Sequence, residues 1–436
     1  MNNNETIFAL SSGHGKSGVA VIRVSGDDLR DLFLRITNRK SADARHAYFA
    51  TMHDTAGDVI DQIVATYFVA PQSFTGTDVI EIYSHGAPAV VEKIFEYLRN
   101  AGARMADAGE FSRRAFYNNK MDLADVDGLA ALLDAQTDAQ RRSALQSMMG
   151  GDSEIYNNWR GQMIEISAYA AAILDYADDE LPANIGDTIR TKTKKLYDEI
   201  TDALARYAAV RAIRGGFNVV LTGDTNVGKS SLFNAILGAN RAIVSDIPGT
   251  TRDVVSATLD IGGYMVNLSD TAGLRETNDT IEKIGIERTQ SEIDGADIII
   301  NVRTPDDTPH TLPHADKNTI CVVNKSDLTN APRADNIIYV SAKNGDGVSE
   351  LTNAIREKIS AIATAAQNGV AVNARTHGLL SDAASELKSA IDAPENNYDI
   401  FSEHTRRAAD AIGKILGTIT ANDVLDATFS QLCLGK

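Results

Sequence analysis

The spacing of apolar and polar residues divides the chain into stretches of different character. Residues 1–118 combine short β-branched runs, at 19–24 and 79–83, with an amphipathic helix over 90–98. From about 121 to 213 apolar residues recur every three or four positions, as at Ile155, Trp159, Met163, Ile166, Tyr169 and Ile173. These patterns predict a small α/β domain followed by a helical domain.

The pattern changes again after the two glycines at 215 and 216. Predicted strands over 217–222, 265–269, 298–302, 320–323 and 337–340 alternate with helices, which is typical of a parallel α/β sheet. After about 366 the helical pattern returns, with Ile412, Ile415, Leu416 and Ile419 on one face. The simplest interpretation is an α/β domain inserted into a helical domain whose two flanking segments share a core. Two separate helical domains are the alternative.

Composition narrows the class of protein. A chain of 436 residues is too long for one ordinary domain, and its 43% hydrophobic content is that of a globular protein. No apolar run approaches the roughly 20 residues that cross a bilayer, and the start lacks a basic secretory region. The two cysteines, Cys321 and Cys433, are too few for a disulfide scaffold. We therefore expect a cytoplasmic, multidomain protein.

The net charge of -17 argues against binding of nucleic acid through the overall field of the chain. Any role on nucleic acid requires a local basic patch or a second protein that supplies one.

Residues 223–230 (GDTNVGKS) fit the pattern G-x-x-x-x-G-K-[ST] between a predicted strand and a predicted helix over 231–237. Backbone N–H groups of such a loop close around phosphates. Lys229 neutralises the β- and γ-phosphates, and the Ser230 hydroxyl is a ligand for Mg²⁺. The loop predicts a nucleotide site without distinguishing ATP from GTP.

Two later motifs favour guanine. Asn324, Lys325 and Asp327 belong to an N-K-x-D motif after the predicted strand 320–323. The Asp327 carboxylate can accept from guanine N1–H and from its exocyclic amine, whereas adenine presents a lone pair at N1. Such a bidentate contact discriminates by about 1–3 kcal/mol. The Ser341-Ala342-Lys343 motif follows the next strand and can direct the Ala342 N–H at guanine O6.

Two further segments complete a predicted GTP site. Residues 270–273 (DTAG) end the strand 265–269, so that Asp270 can hold Mg²⁺ through water and the Gly273 N–H can meet the γ-phosphate. Residues 247–253 contain a threonine hydroxyl suited to Mg²⁺. All five guanine-nucleotide elements occur in the expected order, which predicts a GTPase.

The glutamine that orients the attacking water in Ras-like proteins is replaced by Leu274. Leucine cannot form this hydrogen bond, so another group must orient the water. Glu276, Asp279 and Glu282 lie downstream, and spacing alone does not choose among them. The transition state also needs additional positive charge at the γ-phosphate.

The sequence resembles the MnmE (TrmE) family of tRNA-modification GTPases over essentially its full length. The matching segments are NVGKSS at 226–231, DIPGTTRD at 246–253, DTAGLR at 270–275, IGIER at 284–288, GEFSRRAF at 109–116, KMDL at 120–123 and the tail CLGK at 433–436. The resemblance implies an α/β plus α fold. An N-terminal α/β folate-binding and dimerisation domain (1–118) precedes a helical domain in two parts (119–213 and 367–436), and a P-loop, Ras-like G domain (214–366) is inserted between them.

The resemblance further implies that K⁺ takes the place of an arginine finger. Asn226 would supply a side-chain ligand, with Ser245, Ile247 and Thr250 in a loop that wraps the ion when two G domains meet, while Glu282 orients the water. From the residues alone, a filler of the loop is the favoured interpretation of Asn226, and a solvated helix charge is an equal alternative for Glu282. The nucleotide contacts that we expect are Asn226, Val227, Gly228, Lys229, Ser230, Ser231, Ser245, Asp246, Ile247, Pro248, Gly249, Thr250, Thr251, Asp270, Thr271, Ala272, Gly273, Asn324, Lys325, Asp327, Ser341, Ala342 and Lys343, with Ser230 and Thr251 on Mg²⁺.

For the N-terminal domain, the family pattern implies a tetrahydrofolate one-carbon donor, as the 5-formyl or the 5,10-methylene derivative. The matching positions are Arg23, Glu81, Lys120 and Lys436. A carboxylate suits the N–H/NH₂ edge of a pterin, and cations suit the glutamate tail. Cys433 is a candidate for the modification chemistry, with packing near the folate pocket as the alternative.

The implied activity is GTP hydrolysis that drives installation of a carboxymethylaminomethyl or aminomethyl group at C5 of the wobble uridine of tRNA. The implied assembly is a homodimer that joins a flavoprotein partner, MnmG (GidA), in a heterotetramer, and the partner brings FAD and NADH. The rival hypothesis is a regulatory GTPase of the ribosome-assembly type that acts only by binding. That hypothesis leaves Arg23, Glu81, Lys120 and the CLGK tail without a purpose.

Overall fold

The computed structural model describes residues 5–175, 184–243, 255–270, 290–306, 318–328, 334, 336–366, 373–394 and 397–417. They form two compact units. The first unit contains described residues of 5–130, 148–160 and 410–417, and the second contains those of 131–147 and 161–409. Among the helices of the described part, none is long and apolar enough to span a membrane.

The first unit is built on a six-stranded sheet. Its strands are β1 (Ile7–Leu10), β2 (Ser17–Gly26), β3 (Ala47–His53), β4 (Val59–Phe68), β5 (Asp78–Gly86) and β6 (Arg104–Met105). Its helices are α1 (Arg30–Thr37), α2 (Pro88–Asn100) and α3 (Glu110–Tyr117). The order is β3-β4-β5-β2-β1-β6, in which only β1 and β6 are parallel neighbours.

Strand alternation separates the two faces of this sheet. Ile22 and Val24 of β2 and Ile80 and Ile82 of β5 are fully buried in one core with the α1 and α2 side chains. The residues between them point to the opposite face, where Arg23 lies directly across from Glu81. The predicted strands 19–24 and 79–83 are therefore confirmed as parts of β2 and β5, with two predicted folate contacts as cross-strand neighbours.

Helices follow the first domain along the chain. They are α4 (Leu123–Asp134), α5 (Asp138–Met148), α6 (Gly151–Asp175), α7 (Ile185–Ala205) and α8 (Tyr207–Gly215). The predicted apolar stripe of α6 is confirmed at Trp159, Met163 and Ile166, and Tyr156 and Ala170 extend it. The periodicity predicted Ile155 on this face, whereas Tyr156 is the buried residue and Ile155 is only partly buried.

The second unit carries a seven-stranded sheet in the order β13-β12-β11-β7-β10-β9-β8. The strands are β7 (Phe217–Thr222), β8 (Arg241–Ala242), β9 (Val255–Ile261), β10 (Tyr264–Asp270), β11 (Ile298–Arg303), β12 (Thr319–Val323) and β13 (Ile337–Tyr339). The helices that follow are α9 (Lys229–Ala239), α10 (Val348–Ala366) and α11 (Ala374–Asp392) in this unit, and α12 (Tyr398–Ile415), which belongs to this unit up to residue 409. Five strands are parallel, and β8 and β9 add an antiparallel edge.

The helical segments on either side of this sheet pack together. Helix α7 lies along α11, and the Arg190 guanidinium donates to the carbonyl oxygens of Ile391, Ala393 and Pro394 at 3.2, 3.2 and 3.0 Å. The two flanking segments therefore pack against each other, as the insertion hypothesis requires.

Candidate active site

The phosphate-binding loop lies at the point where the strand order of the second sheet reverses. Strand β7 pairs with β10 on one side and with β11 on the other, and the loop joins β7 to α9. A Cβ atom on Gly223, which has φ of 140°, would lie 2.1 Å from the Val302 carbonyl oxygen. Only glycine permits this close approach of the loop to β11.

Lys229 begins α9 with its ammonium inside the loop. The side chain is 7% exposed, and Nζ donates to the carbonyl oxygens of Gly223 (2.9 Å) and Asp224 (2.8 Å). Free N–H groups at the start of a helix and a buried ammonium together form an anion site. The residues present therefore fit a nucleotide phosphate.

A hydroxyl and a carboxylate meet beside this loop. The Ser230 hydroxyl donates to Asp270 Oδ2 at 2.6 Å, and Asp270 is 1% exposed at the end of β10. Strand pairing holds this geometry, because Asp270 lies across from Leu221 of β7. Hydroxyl and carboxylate oxygens are ligands that Mg²⁺ prefers, together with phosphate oxygens.

Asn324 connects the phosphate loop to the predicted base-binding motifs. It is 2% exposed, and its Nδ2 donates to the carbonyl oxygens of Val227 (2.9 Å) and Gly228 (3.3 Å). Its Oδ1 accepts from the Ala342 N–H at 3.1 Å. The N–H that we expect at guanine O6 is therefore held beside the phosphate loop by this one amide.

The other members of the two motifs are also held in place. Lys325 Nζ donates to the Asn226 carbonyl oxygen at 2.7 Å, and the Ser341 hydroxyl donates to Asp327 Oδ1 at 2.8 Å. Ser341 is buried, so it fixes the orientation of the Asp327 carboxylate. Asp327 Oδ2 keeps lone pairs for the N–H groups of a base.

Several predicted residues lie outside the described part of the chain. These are Ser245, Asp246, Ile247, Pro248, Gly249, Thr250, Thr251, Thr271, Ala272, Gly273, Glu282, Cys433 and Lys436. Of the remaining nucleotide set, Val227 is buried, whereas Ser231 in α9 and Lys343 after Ser341 are exposed.

A second group of predicted residues meets on the N-terminal sheet. Arg23 donates from Nε (3.1 Å) and Nη2 (2.9 Å) to Glu81 Oε1, and the two side chains are 14% and 16% exposed. The Tyr83 hydroxyl donates to Glu81 Oε2 at 2.6 Å. Burial, followed by the bond to Glu81, raises the pKa of Tyr83 to about 12. The hydroxyl therefore remains a donor at neutral pH.

Two aromatic rings flank the Arg23 guanidinium, whose carbon lies 5.1 Å from the Phe74 ring centre and 5.9 Å from that of Phe111. The loop that carries Phe74 also anchors the turn before Lys120, because Asn118 Nδ2 donates to the Thr75 carbonyl oxygen at 2.6 Å. Lys120 itself is exposed in that turn.

Sequence reasoning missed Tyr83, Phe74 and Phe111. Tyr83 could have been found, since strand alternation puts it on the same face as Glu81 two residues earlier. The two phenylalanines come from a loop and a helix distant in sequence, and no pattern within one element indicates them.

Comparison with known proteins matches both parts of the chain. The family model "GTP-binding protein TrmE N-terminus" matches residues 6–120, and the model "MnmE helical domain" matches residues 123–433. The tRNA modification GTPase MnmE of Agrobacterium fabrum is 39% identical over 437 residues, 99% of each chain. That of Rhizobium johnstonii is 38% identical over 441 residues, again 99% of each.

Among solved structures, the G domain of the T. maritima FeoB iron transporter is 26% identical over 34% of this chain and 98% of that chain. Its TM-score of 0.26 is too low to bear on the fold. The assignment of a P-loop fold rests on the strand order of the second sheet and on the geometry of its phosphate-binding loop.

Proposed function

The chain belongs to the MnmE family of tRNA modification GTPases, and on this premise we propose how it acts. It is a K⁺-activated GTPase that installs a carboxymethylaminomethyl or aminomethyl group at C5 of the wobble uridine, using a tetrahydrofolate one-carbon donor. The observation that carries this proposal is the Arg23–Glu81 pair with its Tyr83 donor. A regulatory GTPase that acts only by binding has no use for this half-buried polar group.

GTP hydrolysis requires that the nucleotide be held and that charge on the γ-phosphate be neutralised. Lys229 and the N–H groups at the start of α9 bind the β- and γ-phosphates. Ser230 and Thr251 would hold Mg²⁺, with Asp270 acting through water, and the bound ion would supply positive charge near the β- and γ-phosphates. Asp327 selects guanine, with Ser341 orienting its carboxylate.

Asn226, Ser245, Ile247 and Thr250 would hold K⁺, which would supply the remaining positive charge, and Glu282 would orient the attacking water. Asn226 adopts φ of 63°, a left-handed conformation that asparagine tolerates better than most residues. This backbone conformation and the contact of its carbonyl oxygen with Lys325 support a defined position for the residue.

In the N-terminal domain, Glu81 accepts from the N–H/NH₂ edge of the pterin, and Arg23, Lys120 and Lys436 bind the anionic parts of the folate. Cys433 takes part in the modification. The residues fit such a ligand, because the Arg23 guanidinium, flanked by two aromatic rings, is paired with a carboxylate that has acceptor capacity left on Oε2.

The assembly that we propose is a cytoplasmic homodimer joined to a flavoprotein partner, MnmG, in a heterotetramer that acts on tRNA. The partner supplies FAD and NADH. The segments proposed for these roles are 1–118 for folate and dimerisation, 214–366 for GTP, and 119–213 with 367–436 for the helical connection.

Two measurements test the proposal. Nucleosides of tRNA from cells that lack the gene should contain no C5-aminomethyl-type wobble uridine, and an unchanged content would contradict the proposed modification. Turnover of GTP by the purified protein should rise at least tenfold in KCl over NaCl, and the rise should be lost in Asn226→Ala. Equal rates in both salts would contradict the potassium mechanism alone.

A further inference from the structure

The segment between α1 and β3 carries an unusual local charge for an acidic chain. Residues 35–46 contain four exposed cations, Arg35, Arg39, Lys40 and Arg45, and a single carboxylate, Asp43. None of the four forms an ion pair with a described carboxylate. The chain as a whole has a net charge of -17. This basic segment (residues 35–46) is therefore a local cationic surface on an acidic chain.

Two of these cations are held in place by aromatic rings. The Arg39 guanidinium lies 4.6 Å from the Tyr48 ring centre, and the His46 ring meets the same ring at a tilt of 58°. The Arg45 guanidinium lies 5.9 Å from the Phe68 ring centre. Nη2 of Arg45 donates to the Gln72 carbonyl oxygen at 2.6 Å. A fixed guanidinium loses less side-chain entropy on binding than a free one, and each keeps most of its five donors for a ligand.

A polar cleft of about 580 Å³ adjoins the basic segment at Arg35. It lies between the ends of α1, α2 and β3, and Asn38, His53, Tyr97 and Asn100 line it. The volume falls in the range of ligand-binding clefts. Amide side chains beside an aromatic ring are the groups that proteins use to bind unstacked bases.

The cleft also contains one carboxylate, Asp54. Its Oδ1 accepts from the N–H groups of Ala56 and Asp58, both at 2.9 Å. These two bonds disperse its charge within the β3–β4 turn. The cleft therefore contains one cation, Arg35, and one carboxylate whose Oδ1 is already hydrogen-bonded within the turn.

We propose that the basic segment and this cleft form an RNA-binding surface. The cations contact successive phosphates of the tRNA, and the cleft receives one unstacked nucleotide. The inference rests on the proposed tRNA substrate and goes beyond it by naming the surface. Cations alone would also suit an acidic protein, but the base-binding groups of the cleft favour RNA.

The test measures binding of unmodified tRNA to the full chain as a function of KCl concentration. Each phosphate contact contributes roughly 0.7–0.9 to the slope of log affinity against log salt. The variant Arg35→Gln/Arg39→Gln/Lys40→Gln/Arg45→Gln should therefore lower the slope by about 3. The matched control is Arg30→Gln, which removes an exposed cation from α1 and should leave the slope unchanged.

The cleft is tested by crosslinking of tRNA that contains 4-thiouridine. Crosslinks should map to peptides that include residues 35–53 and 97–101. The variant Asn100→Ala should give fewer crosslinks, whereas free UMP should not reduce crosslinking of the tRNA. GTP turnover in every variant should equal that of the wild type, since none of these residues belongs to the nucleotide site.

Three outcomes would overturn the inference: failure of the wild-type chain to bind tRNA, equal slopes in the fourfold variant and the wild type, or crosslinks confined to other peptides. A fourfold variant that binds tRNA normally but loses the flavoprotein partner would identify a protein-binding surface instead. The nucleoside analysis of the deletion strain tests the proposed modification independently of all these results.

Discussion

The Gln140 side chain forms hydrogen bonds both with the backbone at the start of α5 and with the backbone at the end of α8. It is 7% exposed, and its Oε1 accepts from the N–H groups of Gln136 (2.9 Å) and Thr137 (3.1 Å). Its Nε2 donates to the Arg214 carbonyl oxygen at 2.7 Å. Helix α8 leads directly into β7, so this amide ties α5 to the strand that precedes the phosphate-binding loop.

The variant Gln140→Leu keeps a side chain of similar size and removes these three hydrogen bonds, together with the longer contacts of the same amide with the Thr137 hydroxyl (3.2 Å) and Met265 Sδ (3.5 Å). Each neutral hydrogen bond contributes about 1 kcal/mol net. We therefore expect the free energy of local opening at the start of α5 to fall by about 3 kcal/mol. The rate of hydrogen exchange there should therefore rise by a factor on the order of 100.

The assay is hydrogen exchange at the N–H groups of Gln136 and Thr137, resolved by mass spectrometry or NMR. The control is Arg141→Gln on the same helix, which breaks an exposed ion pair with Asp138. Such pairs contribute about 0–1 kcal/mol, so its exchange should change by roughly fivefold at most. Unchanged protection in Gln140→Leu, or an equal change in both variants, would refute the reasoning.

Three further variants test the two candidate sites. Gly223→Ala places a Cβ 2.1 Å from a backbone oxygen of β11 and should abolish binding of a fluorescent GTP analogue, whereas Gly238→Ala, with no atom within 4 Å, should bind normally. Asp327→Asn should weaken GTP by roughly 10- to 100-fold and favour XTP in competition assays. Tyr83→Phe removes one hydrogen bond to a carboxylate and should raise the Kd for 5-formyltetrahydrofolate about tenfold, measured by calorimetry.

Features of the fold that depend on the residue pattern within a single strand or helix could be predicted from the sequence. Each parallel strand is a buried hydrophobic run, and its functional residue stands where the run ends. Because carboxyl ends of parallel strands meet at one sheet edge, Ser230 and Asp270 could be predicted as neighbours although they are 40 residues apart. The structure places their oxygens 2.6 Å apart.

Polar contacts between elements could not be predicted in this way. The periodicity of α5 shows that one face is buried, but not that Gln140 binds a carbonyl oxygen 74 residues later. The same holds for the Ala342 N–H, which a motif assigns to the base and which the structure shows bonded to Asn324. Such bonds depend on how elements pack, and side-chain patterns within one element carry no information about that.

The position of α5 relative to β10 gives the nucleotide site a physical connection to the helical segment. The Ala139 N–H donates to the Gly263 carbonyl oxygen at 3.0 Å, in the turn that starts β10, and β10 ends at Asp270. This strand is hydrogen-bonded to β7 on one side and to β9 on the other, and we expect these bonds to resist local bending. A shift of Asp270 on binding of Mg²⁺ would therefore reach α5 at Ala139 and Gln140. We expect a variant that weakens the contact between α5 and the turn before β10 to hydrolyse GTP normally. In this variant, nucleotide binding should no longer affect the helical segment.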